Sequence, residues 1–170
     1  LLYFEKSRMK LQKKEERLKA TFHQAAVGIA RVSPSGRWLE VNKKMSAILG
    51  YTKAELLDLD FQSITHPEDL VADTKVLQLL TSRKIRSHQA EKRYIRKDGS
   101  IVWATRTVGG VFKADGQIAY FITVIEDISE RRRAVEALRD RERYLNSILE
   151  TVTDGFLLVD RGGVVLQANS

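Results

Sequence analysis

The side chains with the strongest claim to chemistry are three histidines, His23, His66 and His88, and no two of them have the spacing of a metal-binding pair. Cysteine is absent, which removes disulfides, thiolate metal sites and a cysteine nucleophile. His66 stands in Thr65-His66-Pro67-Glu68-Asp69. There Pro67 occupies a helix position whose N–H would have no partner, and the two carboxylates meet the positive end of the helix dipole. His66 therefore reads as part of a helix start, hydrogen-bonded locally, rather than as a metal or haem ligand. Asn42, just before Lys43–Leu49, reads as a helix cap. Asp127 and Ser129, in the run Asp127-Ile128-Ser129-Glu130-Arg131, are placed to cap an outgoing helix whose apolar seam Ile128 begins. Gly109-Gly110 is an isolated pair in a strand-like stretch and reads as a β-bulge rather than a phosphate loop. No set of residues supplies acid, base and nucleophile together, so the expected catalytic and metal-binding residues are none and an enzyme acting through this chain is disfavoured.

These residues need a scaffold, and composition bounds it. The chain has 170 residues, of which 43% are hydrophobic and 30% charged. That is enough to bury a core, and no apolar run is long enough to span a membrane. Lack of cysteine suits a reducing, cytoplasmic setting. The net charge of +7 is concentrated at the start, where residues 1–20 hold seven Lys and Arg against three Glu. A nucleic-acid surface would spread such charge with aromatics over one face; here the excess belongs to one helix. Arg131-Arg132-Arg133, flanked by Glu130 and Glu136, reads as a solvated helix face.

Residues 1–26 contain no Gly or Pro and are rich in helix formers. Phe4, Leu11, Leu18 and Ala25 recur every seven residues, a thin coiled-coil seam. Leu1-Leu2-Tyr3-Phe4 could alternatively end a preceding transmembrane helix, with the basic residues on its cytoplasmic side. Strand and turn signals follow: a strand at Ile29–Val32, a turn at Ser33–Gly36, a strand at Arg37–Val41, short helices at Lys43–Leu49 and Lys53–Leu57, and a longer helix opening at His66-Pro67. Three strands then run over Ser87–Arg96, Ser100–Phe112 and Gln117–Asp127, separated by Asp98-Gly99 and Asp115-Gly116 turns. Two strands, several helices and three strands predict an α+β fold with an antiparallel sheet and helices on one face. Residues 129–150 return to helix. Ile128, Val135, Glu142 and Leu149 fall at one heptad position, and Arg131, Leu138, Leu145 and Val152 at the other.

The chain also repeats itself at an offset of 127 residues. Gly28, Val32, Gly36, Leu39 and Asn42 correspond to Gly155, Val159, Gly163, Leu166 and Asn169. The preceding helices match too, Leu11 with Leu138 and Leu18 with Leu145. The chain ends in mid-pattern at Gln167-Ala168-Asn169-Ser170 and reads as an excerpt of a longer protein. Its expected organisation is a helical linker at 1–20, an α+β domain at 21–128, a helical linker at 129–150 and the truncated start of a second domain at 151–170.

Several motifs now occur in a familiar order. Phe22–Asn42, Ile48-Leu49-Gly50-Tyr51-Thr52, Ile64-Thr65-His66-Pro67-Glu68-Asp69-Leu70, Glu91–Ser100, Trp103 and Tyr120–Arg131 resemble a PAS domain with its C-terminal PAC motif over residues 20–131. Residues 144–170 resemble the start of another, of the kind common in sensor histidine kinases. The resemblance implies a five-stranded antiparallel sheet with helices forming a small pocket on one face. It implies a regulatory module in two-component signalling that senses or dimerises. Such a module would relay a signal through Asp127, Ile128, Ser129, Glu130 and Arg131 to an output domain in cis, a histidine kinase or alternatively a cyclic-di-GMP enzyme. Phe121, Thr123 and Ile125 share one strand face, which by resemblance looks into the pocket; Phe61, Ile64, Val71 and Leu77 are expected to close it from the helices. A filled core without ligand is the favoured expectation, and the cofactor is unknown or absent. Haem and flavin have no positive support, and cysteinyl–flavin photochemistry is excluded by the lack of cysteine. Arg106 and Trp103 fall on opposite faces of their strand; an inward Arg106 would suggest an anionic ligand, but an outward, solvated charge is the expectation. The expected partner is a second copy of the chain, paired in parallel along the helical linkers.

Overall fold

Uninterrupted helix formers carry the first element, α1 (Leu2–Gln24), in a computed structural model that describes residues 2–151 and 157–168. Among these no helix is long and apolar enough to cross a membrane. Leu1, Val152, Gly155 and Asn169 lie outside the described residues. The chain divides into two units, one ending at Ser129 and the other beginning at Glu130.

In the first unit, β1 (Gly28–Val32) and β2 (Trp38–Val41) form a hairpin, followed by α2 (Lys43–Leu49), α3 (Lys53–Asp58) and α4 (Leu70–Thr81). Then come β3 (Ser87–Ile95), β4 (Ile101–Phe112) and β5 (Ile118–Asp127). The five strands make one antiparallel sheet in the order β2-β1-β5-β4-β3. The chain enters the middle of the sheet last, so β5 joins the two hairpin blocks.

Strand residues of one parity face the helices. Ala30, Val32, Val102, Ala104, Val108, Phe121 and Ile125 are buried together with Met45, Ile48 and Leu49 of α2, Leu56 of α3, and Val76 and Leu80 of α4. At β1 the packing is close enough to need glycine: a Cβ on Gly28 would lie 2.7 Å from Ile125 and 3.1 Å from the Met45 backbone. Pro67 opens a single 3₁₀ turn, Pro67–Asp69, which leads into α4 at Leu70. The Gly109-Gly110 expectation is corrected. Both glycines keep regular pairing with Ile122 and Phe121, and the irregularity lies between Val111 and Phe112. A Cβ on Gly110 would meet Ile118 at 2.9 Å, so that glycine serves packing.

Helix α5 (Ser129–Thr151) starts on the last residue of the first unit and continues in the second, where a hairpin of β6 (Leu157–Val159) and β7 (Val165–Ala168) follows it. The 127-residue offset carries over into geometry. Both long helices have 23 residues. The β1–β2 register slips between Arg31 and Val32, and the β6–β7 register slips between Leu158 and Val159. Gly36 and Gly163 both take positive φ, +94° and +81°.

Candidate functional site

The core facing the helices is not purely apolar. Period-two alternation places Lys92 and Tyr94 of β3, Arg106 of β4 and Thr123 of β5 on the buried face. Arg106 is 5% exposed and Lys92 4%, so the expectation of a solvated Arg106 is corrected. It shares parity with Val102, Ala104 and Val108 and pairs in register with Ile125, all buried, and that parity decides its direction. α4 supplies the counter-charge. Asp73, Val76, Leu77 and Leu80 mark its inward side, with Asp73 almost fully buried. Val71, two residues before Asp73 and therefore about 200° around the helix, is 81% exposed, which corrects its expected place in the pocket wall.

Asp73 bridges the two cations. One carboxylate oxygen takes the Lys92 ammonium, and the other lies 3.3 Å from the Arg106 guanidinium. Lys92 also donates to the Thr65 hydroxyl at 3.0 Å and sits 4.4 Å over the Tyr94 ring. Burial drives the Lys92 pKa down to about 8 despite the attraction of Asp73. Burial likewise pushes the Tyr94 phenol above its ordinary range.

Beside this cluster lies a cavity of about 20 Å³, room for one or two waters. Phe61, Leu77, Phe121 and Thr123, all expected around a pocket, line it together with Lys92, Tyr94 and Arg106. Ile64 and Ile125 are buried elsewhere in the core. Ligand pockets for drug-sized molecules run to several hundred Å³, so haem or flavin would require the helices to move. Among the described residues no group of three or more His, Asp or Glu could hold a metal.

The helix starts are built from side-chain acceptors. Asn42, 1% exposed, is fully used: Oδ1 accepts from Met45 N at 2.8 Å and Ile29 N at 2.9 Å, while Nδ2 donates to Phe22 O and Val27 O, both at 2.9 Å. One amide thus ties α1, β1 and α2. His66 Nδ1 accepts from Glu68 N at 3.3 Å, a local helix-start contact as the motif predicts. Next to it Asp69 accepts from Arg93 through both oxygens, and that contact holds its carboxyl below the usual range.

The second candidate feature is where β5 becomes α5. Asp127 Oδ1 accepts from Ser129 N at 2.8 Å. Its other oxygen lies 3.1 Å from Arg96, whose Nε also donates to Ile48 O at the end of α2. Ser129 turns its hydroxyl away from its own helix and onto β4, accepting from Trp103 N at 3.2 Å. Ile128 N donates to Trp103 O at 2.9 Å, and the Ile128 side chain is buried. Glu130 and Arg131 continue α5 as its second and third residues.

Sequence reading missed Lys92, Asp73 and Arg96 and expected Arg106 in solvent. Lys92 and Arg96 sit in charged runs that look solvated. The available signal was parity for the strand residues, since Lys92 alternates with Tyr94 and Arg106 with Val108.

The PAS domain family profile matches residues 25–130. Over 161 residues the chain is 35% identical to the probable diguanylate cyclase DgcE of Escherichia coli (strain K12), covering 95% of this chain and 14% of that protein. It is 26% identical to the sensor histidine kinase TmoS of Ectopseudomonas mendocina, over 89% of this chain and 16% of that one. The chain thus spans about one seventh of the length of these curated relatives. Among solved structures, a PAS domain from Colwellia psychrerythraea superposes with a TM-score of 0.62 at 21% identity, covering 68% of this chain and 97% of that one.

Proposed function

The chain belongs to the PAS domain family, and we propose that it serves as a sensing and dimerisation relay inside a longer signalling protein. In this reading residues 21–128 form the sensor domain, residues 1–20 and 129–150 are its helical linkers, and residues 151–170 begin a second PAS domain. The observation that carries the reading is the strand-to-helix junction: Ile128 and Ser129 are both hydrogen-bonded to the backbone of Trp103, so a shift of β4 reaches the first turn of α5. A change of packing in the core alters the populations of α5 arrangements, and an output domain in cis reads them. Likeness to TmoS supports a histidine kinase output; likeness to DgcE, at higher identity, supports a diguanylate cyclase.

Exposed apolar residues support pairing along the linkers. Leu11 and Leu18 on α1, and Val135, Leu138 and Leu145 on α5, are each at least 43% exposed and recur at heptad spacing. A second copy of the chain, aligned in parallel, covers them. A cytoplasmic setting, with or without a membrane tether before residue 1, fits this role. Sedimentation equilibrium on the purified chain tests the pairing: a dimer is expected, and a monomer at every concentration contradicts it.

A further inference from the structure

The polar groups around the core cavity are unbalanced. Two cations line it, Lys92 and Arg106, and no acid does; Asp73 stands behind them with one negative charge for two positive ones. The neighbouring acid Asp69 gives both its oxygens to Arg93. Two residues that line the cavity each carry a buried N–H donor, Arg106 Nε and Trp38 Nε1, that reaches no hydrogen-bond acceptor of the protein. Trp38 is 3% exposed and Arg106 5%, so bulk water does not satisfy them. A buried donor without an acceptor is costly, and excess buried positive charge more so.

We propose that this cavity binds a small carboxylate, of the size of formate or acetate, through Arg106 and Trp38. An oxyanion supplies the acceptors that both donors lack and cancels the surplus charge in one step. Guanidinium–carboxylate geometry favours a planar carboxylate over a spherical anion. Size sets the upper limit, since a space for one or two waters is filled by a group no larger than formate or acetate, and longer chains collide with Phe61 and Leu77. This inference rests on the reading of the core as the input site and names the chemistry of its input.

The chain has two tryptophans, Trp38 at the cavity and Trp103 on the opposite side of the sheet, so its ¹H–¹⁵N spectrum carries one reporting indole signal and one control. Sodium acetate is titrated into the full chain, with sodium chloride of equal ionic strength in parallel. The expected result is a saturable shift of the Trp38 indole signal and the Arg106 Nε–H signal, with an acetate Kd of order 1 mM, while Trp103 stays still. Arg106→Gln should weaken acetate roughly tenfold or more. Leu77→Ala, which enlarges the cavity and keeps both donors, should admit butyrate. Non-saturating shifts, equal shifts with chloride, or a motionless Trp38 signal overturn the proposal and leave ordered water as the acceptor. Because dimerisation is measured separately, a dimer that ignores acetate refutes the ligand and leaves the relay standing.

Discussion

Ser129 Oγ lies 3.2 Å from the backbone nitrogen of Trp103 and accepts its hydrogen bond, so the first residue of α5 is tied to a strand 26 residues earlier. Serine at a helix start ordinarily turns its oxygen onto the helix's own N–H groups. Here Asp127 takes the local role by accepting from Ser129 N, and the serine hydroxyl is free to reach across to β4. The two residues divide capping and coupling between them.

Removing the cap and removing the tie should therefore have separable effects. Asp127→Ala should destabilise the start of α5 by about 1 kcal/mol and free Arg96 from the junction. Ser129→Ala should leave the helix intact and speed amide exchange at Trp103. Exchange rates by NMR check both; equal protection at Trp103 in wild type and Ser129→Ala would contradict the tie.

Asn42 should be among the least replaceable polar residues. Asn42→Ala leaves two backbone donors and two carbonyls without their partner, at about 1–3 kcal/mol for each that water cannot reach. Asn42→Asp should also destabilise, because a carboxylate oxygen would replace Nδ2 and face the carbonyls of Phe22 and Val27. Urea unfolding measures both losses.

Asp73 holds two buried cations, and Asp73→Asn should cost roughly 3–5 kcal/mol, the usual penalty for stranding buried charge. A loss below about 1 kcal/mol in urea unfolding would mean that the cations find another counter-charge.

Lys92 makes stability depend on pH in the alkaline range. The groups facing it are Asp73 from α4, Arg106 from β4, Tyr94 from β3, and Thr65 and Phe61 from the loop before α4. Between about pH 8 and its ordinary 10.5 the native lysine has lost a proton that the unfolded lysine still binds. Stability should accordingly rise with pH through that window and be flat in this respect below it. Tyr94 acts in the opposite sense above its ordinary pKa of 10.0, because its unfolded phenol ionises first. Urea midpoints recorded from about pH 8 to about pH 10 should increase in wild type and not in Lys92→Met.

Much of this fold is legible in the sequence because local and periodic signals agree. Asn42 and Gly50 bracket α2 as cap residues should, and Asp-Gly pairs mark both long hairpins. The ionic core is harder to read, since the contact between Asp73 and Lys92 depends on how α4 rotates over the sheet, and no local pattern sets that rotation. Val71 illustrates the difficulty: it fits a helical apolar spacing, yet Asp73 holds the buried position while Val71 faces water. The tie between Ser129 and Trp103 is likewise a product of strand register.

In the proposed relay, packing in the sheet sets the arrangement of paired α5 helices through Ser129. The most direct test places a nitroxide at the exposed, off-seam position Ala137 by Ala137→Cys, in a chain with no other cysteine. Spin–spin distances between copies are then recorded with and without Val108→Ala in the core. The relay predicts an intermolecular distance that shifts with Val108→Ala and loses that shift when Ser129→Ala is added. No intermolecular coupling, or one unchanged distance distribution in all three proteins, would contradict it.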